Sequence, residues 1–337
     1  MTDTTATTDL DVRLEKHRTE LMGYCYRMLG SSFEAEDAVQ DTMVRAWRSY
    51  DRFEGRSSLR SWLYRIATNV CLDMLTAGNK RARPMDLTES TPLAQAVLSP
   101  RPDHTWLEPM PDNRILPTVE DPAEAAVAKE TVRLAFMAAL QQLPPKQRAV
   151  LILREVLAWK ASEVAELLDT SVASVNSALQ RARATLAERE ERGADAAVSD
   201  PLDEEQQKLL DRYVKAFEGY DMTALTALLH EDAIMTMPPF DLWLTGHDDI
   251  TGFMTTLGSA CEGSRLVPVQ VNGLPGFAQY KPDPEKGGHI PWAVQVLEIS
   301  DGRLTGFHFF LDTQRWFPLF GLPLHLEAEA DEVEEGV

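Results

Sequence analysis

Eight prolines crowd one stretch of this chain: Pro84, Pro92, Pro100, Pro102, Pro109, Pro111, Pro117 and Pro122. Each fixes φ and withholds a backbone N–H, so neither a helix interior nor a central strand can run through them. Residues 84–128 are therefore expected to form a largely extended linker. A chain of 337 residues must then fold as separate pieces, each with a modest core of its own. Hydrophobic periodicity sets those pieces at 10–83, 129–192 and 203–325, followed by an acidic tail over 326–337 with no apolar face.

The piece 10–83 is helical by pattern, with Gly30-Ser31-Ser32 as a break. Ser31 and Glu34 form the S-x-x-E signature of a capped helix start. Behind it Val39, Met43, Ala46, Trp47 and Tyr50 recur at helical spacing and make a buried stripe, which leaves Asp37, Gln40 and Asp41 on another face. The next helix, 58–75, buries Leu59, Leu63, Ile66, Val70 and Met74, while Arg60, Tyr64, Arg65, Thr68, Asn69 and Asp73 project elsewhere. The two helices have opposite surface chemistry, so they suit two different partners. Carboxylates and an amide fit either a solvated acidic surface or an arginine-rich partner helix. Arginine, asparagine and an aromatic ring fit the phosphates, edges and faces of unpaired bases.

Residues 144–189 have the spacing of a helix-turn-helix. Pro144-Pro145 opens a helix whose apolar side is Val150, Leu151, Leu153, Val156 and Leu157. Val164, Leu167 and Leu168 mark a short second helix, Asp169-Thr170-Ser171 the turn, and Val172, Val175, Leu179 and Leu186 the buried side of a third. Ser174, Asn176, Ser177, Gln180, Arg181 and Arg183 are left facing outward, a set of polar side chains that fits a major groove. The formal charge of −20 argues against a nucleic-acid binder only until it is divided. Residues 41–83 carry nine Lys/Arg against four Asp/Glu, residues 129–192 ten against eight, and residues 193–337 eight against twenty-five. The acid sits in the last third, and the first two pieces keep positive fields.

Taken together, the D-x-x-Q-D pattern of Asp37, Gln40 and Asp41, the ATNVCLD run around Asn69 and the helix-turn-helix are similar to regions 2 and 4 of extracytoplasmic-function sigma factors of the sigma-70 family. The chain resembles the sigma-G and sigma-J types of actinobacteria. The resemblance implies that Asp37, Gln40 and Asp41 grip core RNA polymerase. It implies that the loop FEGRSSLR (53–60) and Asn69 capture a flipped base of the −10 promoter element, with Arg56, Arg60, Arg65, Lys80, Arg81 and Arg83 on the same strand. Ser174, Asn176, Ser177, Gln180, Arg181 and Arg183 would meet the −35 element. Two positions depart from the family pattern. Asn176 stands where an arginine or lysine is usual, and Lys160 replaces a helix-capping serine.

After two amphipathic helices (about 203–218 and 221–230) the last third turns strand-like at VPVQV (267–271), AVQVLEI (293–299) and LTGFHFFLDT (304–313). This resembles a SnoaL-like cone, an α+β fold with a curved antiparallel sheet. The resemblance implies an apolar pocket with room for a small-molecule ligand, lined by Met237, Trp243, Trp292 and Phe309. Some relatives of the cone are isomerases or cyclases, for which His230, Asp232, His247, Asp248, His308 and Asp312 are candidate bases by residue type. The segment WFPLFGLPLHL (316–326) is too dense in Pro and Gly for a helix or central strand, so Trp316, Phe317 and Phe320 are expected either to plug the open end of the cone or, the preferred reading, to dock on another surface.

The expected fold is thus multidomain, two all-α pieces and an α+β cone. The expected function is that of a sigma factor that initiates transcription and is regulated in cis by the cone; it is not expected to be an enzyme. Two other readings stay open here: a cyclase- or isomerase-type enzyme with a fused DNA-binding part, and a helix-turn-helix regulator. The latter leaves the Asp37–Asp41 and Asn69 helices without a purpose. Cys25, Cys71 and Cys261 have no metal-site or disulfide spacing, and free thiols suit a reducing cytoplasm. No cofactor, metal or membrane partner is expected, since no apolar run approaches the roughly 20 residues of a membrane span.

Overall fold

The computed structural model describes residues 10–53, 55, 57–76, 80–118, 121–190 and 204–328. Helix α1 (Arg18–Leu29) ends at Gly30, whose φ of 70° favours a residue without Cβ and whose N–H returns to Tyr26 O. Helix α2 (Ser32–Ser49) begins as expected, with the Ser31 hydroxyl accepting from the Glu34 N–H at 3.1 Å. Its buried stripe is Ala35, Ala38, Val39, Thr42 and Ala46. Trp47, expected inside, is 53% exposed. Helix α3 (Leu59–Leu75) starts on Ser58, whose hydroxyl accepts from the Ser61 N–H at 3.0 Å. Tyr64 and Thr68, expected to project outward, are buried: Thr68 bonds Tyr24 Oη at 2.7 Å, and the Tyr64 ring packs against that of Tyr24.

Helices α4 (Asp112–Ile115), α5 (Pro122–Glu130) and α6 (Leu134–Gln142) lead to α7 (Pro145–Leu151), which continues as a wider π-type turn over Ile152–Val156. Helices α8 (Ala161–Leu167) and α9 (Val172–Glu190) complete the helical part. The pieces 10–83 and 129–192 do not have separate cores. Leu21, Val39 and Leu63 share one hydrophobic cluster with Val150, Val164 and Val175. Arg148, 2% exposed, ties them: it donates to Met28 O, to Gln141 Oε1 at 2.6 Å, and to Gln141 O and Leu143 O at 3.1 Å. Burial lowers its guanidinium to about 10, still charged at neutral pH.

The expected linker is also divided. The chain forms two compact units, and residues up to Arg83 belong with those from Asp103 onward, whereas Pro84–Pro102 belong with the last third. The prolines do keep the backbone out of long helices. Between them, however, Trp106, Leu107, Met110 and Ile115 bury in the first unit, and Leu93 and Ala96 pack on the core of the second. Apolar side chains spaced among prolines give an extended segment something to bind.

In the second unit, α10 (Glu204–Glu218) and α11 (Met222–Leu228) precede β1 (Leu229–Thr236), β2 (Trp243–Thr245), α12 (His247–Thr255), β3 (Arg265–Val271), β4 (Leu274–Pro282), β5 (His289–Ser300) and β6 (Arg303–Phe310). The strands form one sheet in the order β2-β1-β6-β5-β4-β3, antiparallel except for β1 against β6. One face packs on the helices through Phe277, Ala293, Leu297, Phe307 and Phe309. A buried polar relay runs through it: Tyr213 Oη donates to Gln295 at 2.7 Å, Gln295 to Gln279 at 2.8 Å, and Gln279 to Ser264 Oγ at 3.0 Å. Every member has a partner, as a buried network requires. The segment WFPLFGLPLHL corrects two expectations. It opens as a helix, α13 (Thr313–Leu319), and its aromatics serve their own unit. Phe317 meets Tyr280 at 5.0 Å and Trp316 meets Phe310 at 6.4 Å, both buried, while Phe320 is half-buried. The acidic tail from residue 329 lies outside the described residues.

Candidate functional site

The helical unit presents three separate polar faces. On α2, Asp37 and Gln40 are exposed and Asp41 is half-exposed, paired with Arg45 at 2.8 Å. The capped start and the stripe Ala35–Ala38–Thr42 turn this face outward. Val44 and Trp47 lie beside it, 39% and 53% exposed. They line a shallow groove with Leu14, Met43 and Arg48.

On α3, Asn69 is exposed, as its position opposite Ala67, Val70 and Cys71 dictates. Its neighbours on that helix are already engaged. Arg60 pairs with Glu20 at 2.7 Å and lies over the rings of Tyr64 and Trp159, at 5.1 and 5.4 Å from their centroids. Arg65 donates to Glu166 O at 3.0 Å. Trp62 is half-buried in an aromatic group with Phe53 and Tyr50. Lys80 is exposed, but Arg81 and Arg83 are only 4% and 7% exposed. Arg81 pairs with Glu34 at 2.8 Å and Glu108 at 3.3 Å and donates to Trp106 O at 2.9 Å, so it turns inward rather than toward a phosphate. Arg56 lies outside the described residues.

On α9, Ser174, Asn176, Ser177, Gln180, Arg181 and Arg183 are all exposed, opposite Val175, Leu179 and Ala182. Ser171 starts the helix by accepting from the Ser174 N–H at 3.1 Å. Arg183 pairs with Glu155 at 2.7 Å. Val172, expected to pin this helix, is 43% exposed. The missing serine cap at Lys160 is offset, because the Glu163 carboxylate accepts from the Lys160 N–H at 2.7 Å.

The second unit encloses an apolar cavity of about 220 Å³. Met237, Trp292 and Phe309 line it as expected; Trp243 does not, and donates from Nε1 to Thr88 O at 3.0 Å. The candidate bases are not brought together there. His308 alternates with Phe307 and Phe309 along β6, so it lies on the opposite face of the sheet. There its Nδ1 meets Thr236 Oγ1 at 2.9 Å and its Nε2 lies 3.2 Å from a Glu298 carboxylate oxygen. His247 Nε2 is 3.0 Å from His230 O. Asp248 sits in the first turn of α12, and Asp312 precedes α13. Among the described residues no three His, Cys, Asp or Glu converge as a metal site, and no helix is long and apolar enough to cross a membrane.

Comparison with known proteins accounts for all three parts. Residues 14–81 match the Sigma-70 region 2 family, residues 133–186 the Sigma-70 region 4 family, and residues 205–316 the nuclear transport factor 2 (NTF2) domain family. The chain is 42% identical over 325 residues to the ECF RNA polymerase sigma factor SigG of Mycobacterium tuberculosis, covering 94% of this chain and 84% of that protein. It belongs to the ECF RNA polymerase sigma factors. It is also 30% identical over 222 residues to SigJ of the same organism, covering 66% of this chain and 62% of that one. The crystal structure of SigJ shares its fold, with a TM-score of 0.57 at 23% identity over 93% of this chain and 99% of that chain.

As a sigma factor the chain serves transcription initiation, with core RNA polymerase and promoter DNA as its partners. Sequence reasoning placed one residue of interest on the wrong face and missed another. Trp47 was legible: it lies two turns from Gln40 on the same side of α2. Glu108, inside the proline-rich stretch, was not. It is 3% exposed, and its Oε2 accepts from the Ser31 hydroxyl at 2.7 Å, the Ser32 N–H at 2.9 Å and the Ser32 hydroxyl at 3.1 Å. It therefore places a carboxylate at the N-terminus of α2, where the helix dipole favours one.

Proposed function

We propose that this sigma factor meets core polymerase through Asp37, Gln40 and Asp41, with Trp47 and Val44 adding apolar contact. It meets the melted −10 strand through Asn69 with Arg60, Arg65 and Lys80, and −35 duplex through Ser174, Asn176, Ser177, Gln180, Arg181 and Arg183. Arg81 and Arg83 leave this set, since both are committed inside the fold. We further propose that the described conformation is a resting one. The observation that carries this reading is the capture of Arg60 and Arg65 by Trp159 and Glu166 of the helix-turn-helix part. Side chains suited to the −10 strand are occupied by the very part that reads −35, so productive binding requires the two helical pieces to separate. The NTF2-like domain supports that restraint in cis. Residues 193–337, with eight Lys/Arg against twenty-five Asp/Glu, repel DNA.

A reversible cross-link tests the proposal. In a chain with its three cysteines replaced by serine, Arg65→Cys and Glu166→Cys are joined by a cleavable flexible linker. The linked protein should fail to open promoters with core polymerase, and cleavage should restore run-off transcription to the level of the same double-cysteine chain before linking, which already carries the loss of Arg65. Equal transcription before and after cleavage would show that the two pieces need not part.

A further inference from the structure

The cavity of the NTF2-like domain is lined by hydrocarbon, thioether and aromatic groups and by the Cys261 thiol. Among the described lining residues there is no Asp, Glu, His, Lys or Arg. Its phenol, Tyr220, already donates to Met254 O at 2.9 Å. A charge brought inside would lose its hydration and find no counter-ion among the lining residues; Lys281, a cation beside the wall, is already held over the Trp292 ring at 4.0 Å. An apolar hole of roughly 150 Å³ stays dry and accepts benzene; this one, at about 220 Å³, has room for somewhat more. Four methionines, Met222, Met235, Met237 and Met254, give the wall an adaptable surface.

The proline-rich segment contributes to the wall of this cavity. Its ends are held by hydrogen bonds, Thr91 N–H to Trp243 O at 3.1 Å and Leu93 N–H to Asp249 Oδ1 at 3.2 Å on one side. On the other, Arg101 N–H reaches Pro239 O at 2.9 Å and the guanidinium pairs with Asp241 at 3.0 Å. Leu93 sits so close to α12 that a Cβ at Gly252 would come within 2.6 Å of it. Between these anchors Leu98, 41% exposed, reaches over and lines the cavity.

We propose that the cavity is a binding site for an uncharged, hydrocarbon-rich molecule of one or two rings, and that the strap 91–101 is its lid. Occupancy and strap docking are then linked, each strengthening the other. Because the strap is continuous with Arg83 and Asp103, the ligand would act on the tether of the promoter-reading part. That consequence rests on the cis-regulation proposed above; the binding itself does not.

The full-length chain is titrated with indole, a neutral two-ring probe, and with indole-3-carboxylate, its charged counterpart, by calorimetry. Hydrogen exchange is followed over residues 91–101. Indole should bind saturably at one site and slow exchange of the strap, and the carboxylate should not saturate at the same concentrations. Leu98→Asp, at a half-exposed position, should weaken indole by at least about fivefold. Met237→Trp and Leu311→Trp, which fill the space, should each abolish binding. Absence of saturable indole binding, equal binding of the carboxylate, or binding that survives both filling variants overturns the site. Unchanged affinity of Leu98→Asp together with unchanged strap exchange overturns the lid. None of these measurements uses polymerase or DNA, so failure of the cross-linking experiment and failure of this one are separate results.

Discussion

Replacing Glu108 by Ala should be among the most damaging single changes in the helical unit, although it falls in a stretch that looks like a linker. Its carboxylate is 3% exposed and accepts from two serine hydroxyls and the Ser32 N–H while pairing with Arg81, itself 4% exposed. Breaking a buried pair by removing one partner costs about 3–5 kcal/mol, and because Arg81 keeps its pair with Glu34 at 2.8 Å the lower end, about 3 kcal/mol, is expected. The orphaned Ser32 N–H belongs to the same loss and is not counted again. For a domain of this size each kcal/mol moves Tm by about 2–4 °C, so the helical unit should melt roughly 6–12 °C lower. Glu108→Gln keeps the shape and one acceptor oxygen and should cost about 1–3 kcal/mol. Glu36→Ala is the control, because its pair with Arg114 at 3.3 Å is 47% exposed on the Glu36 side and should contribute at most about 1 kcal/mol. Thermal unfolding of the full chain measures the cost. Hydrogen exchange should show faster opening of residues 103–111 and of the first turn of α2 in the Ala variant. A cost below about 1 kcal/mol, or unchanged protection of 103–111, would refute the assignment of Glu108 as the staple of this segment.

Asp41→Arg should abolish holoenzyme assembly with little change in Tm, since its pair with Arg45 is half-exposed; undiminished core affinity in a pull-down would remove the α2 face from the interface. Asn69→Ala should impair promoter opening, read by permanganate reactivity, while duplex binding is retained; parental melting in that variant would mean the base pocket is elsewhere. Arg181→Ala should weaken upstream duplex binding by about 1–3 kcal/mol if it contacts a base, and a uniform smaller loss across sequences would make it a phosphate contact. Removing everything after Arg192 should raise affinity for promoter duplex at low salt, with the gain shrinking as salt screens the acidic third. Equal binding of the full chain and the fragment at every salt concentration would rule out an electrostatic gate.

What the sequence determined by itself is what depends on neighbours three or four residues away. Ser31 caps α2, Ser58 caps α3, and the outward set on α9 from Ser174 to Arg183 is exposed, because helical period and capping chemistry are local. The same applies to β5 and β6, whose long apolar runs declare themselves, but not to β1 and β4. β1 carries His230, Glu231 and Asp232 near its start and β4 carries Pro275 and Gly276, so each reads locally as a helix end or a turn until its partners β6 and β5 are supplied. Arg81 shows the limit most plainly. A guanidinium suits a phosphate and a carboxylate equally well, and only the arrival of Glu34 and Glu108 from distant parts of the chain decides between them. His308 is similar: its residue type permits catalysis, but the register of β6 against β1 turns it away from the cavity. The division of the proline-rich stretch follows the same logic. Prolines dictate locally that no helix runs through it, whereas where Leu93, Leu98, Trp106 and Leu107 bury depends on surfaces assembled from distant parts of the chain, and burial of apolar area is a property of the assembled surface and not of the segment.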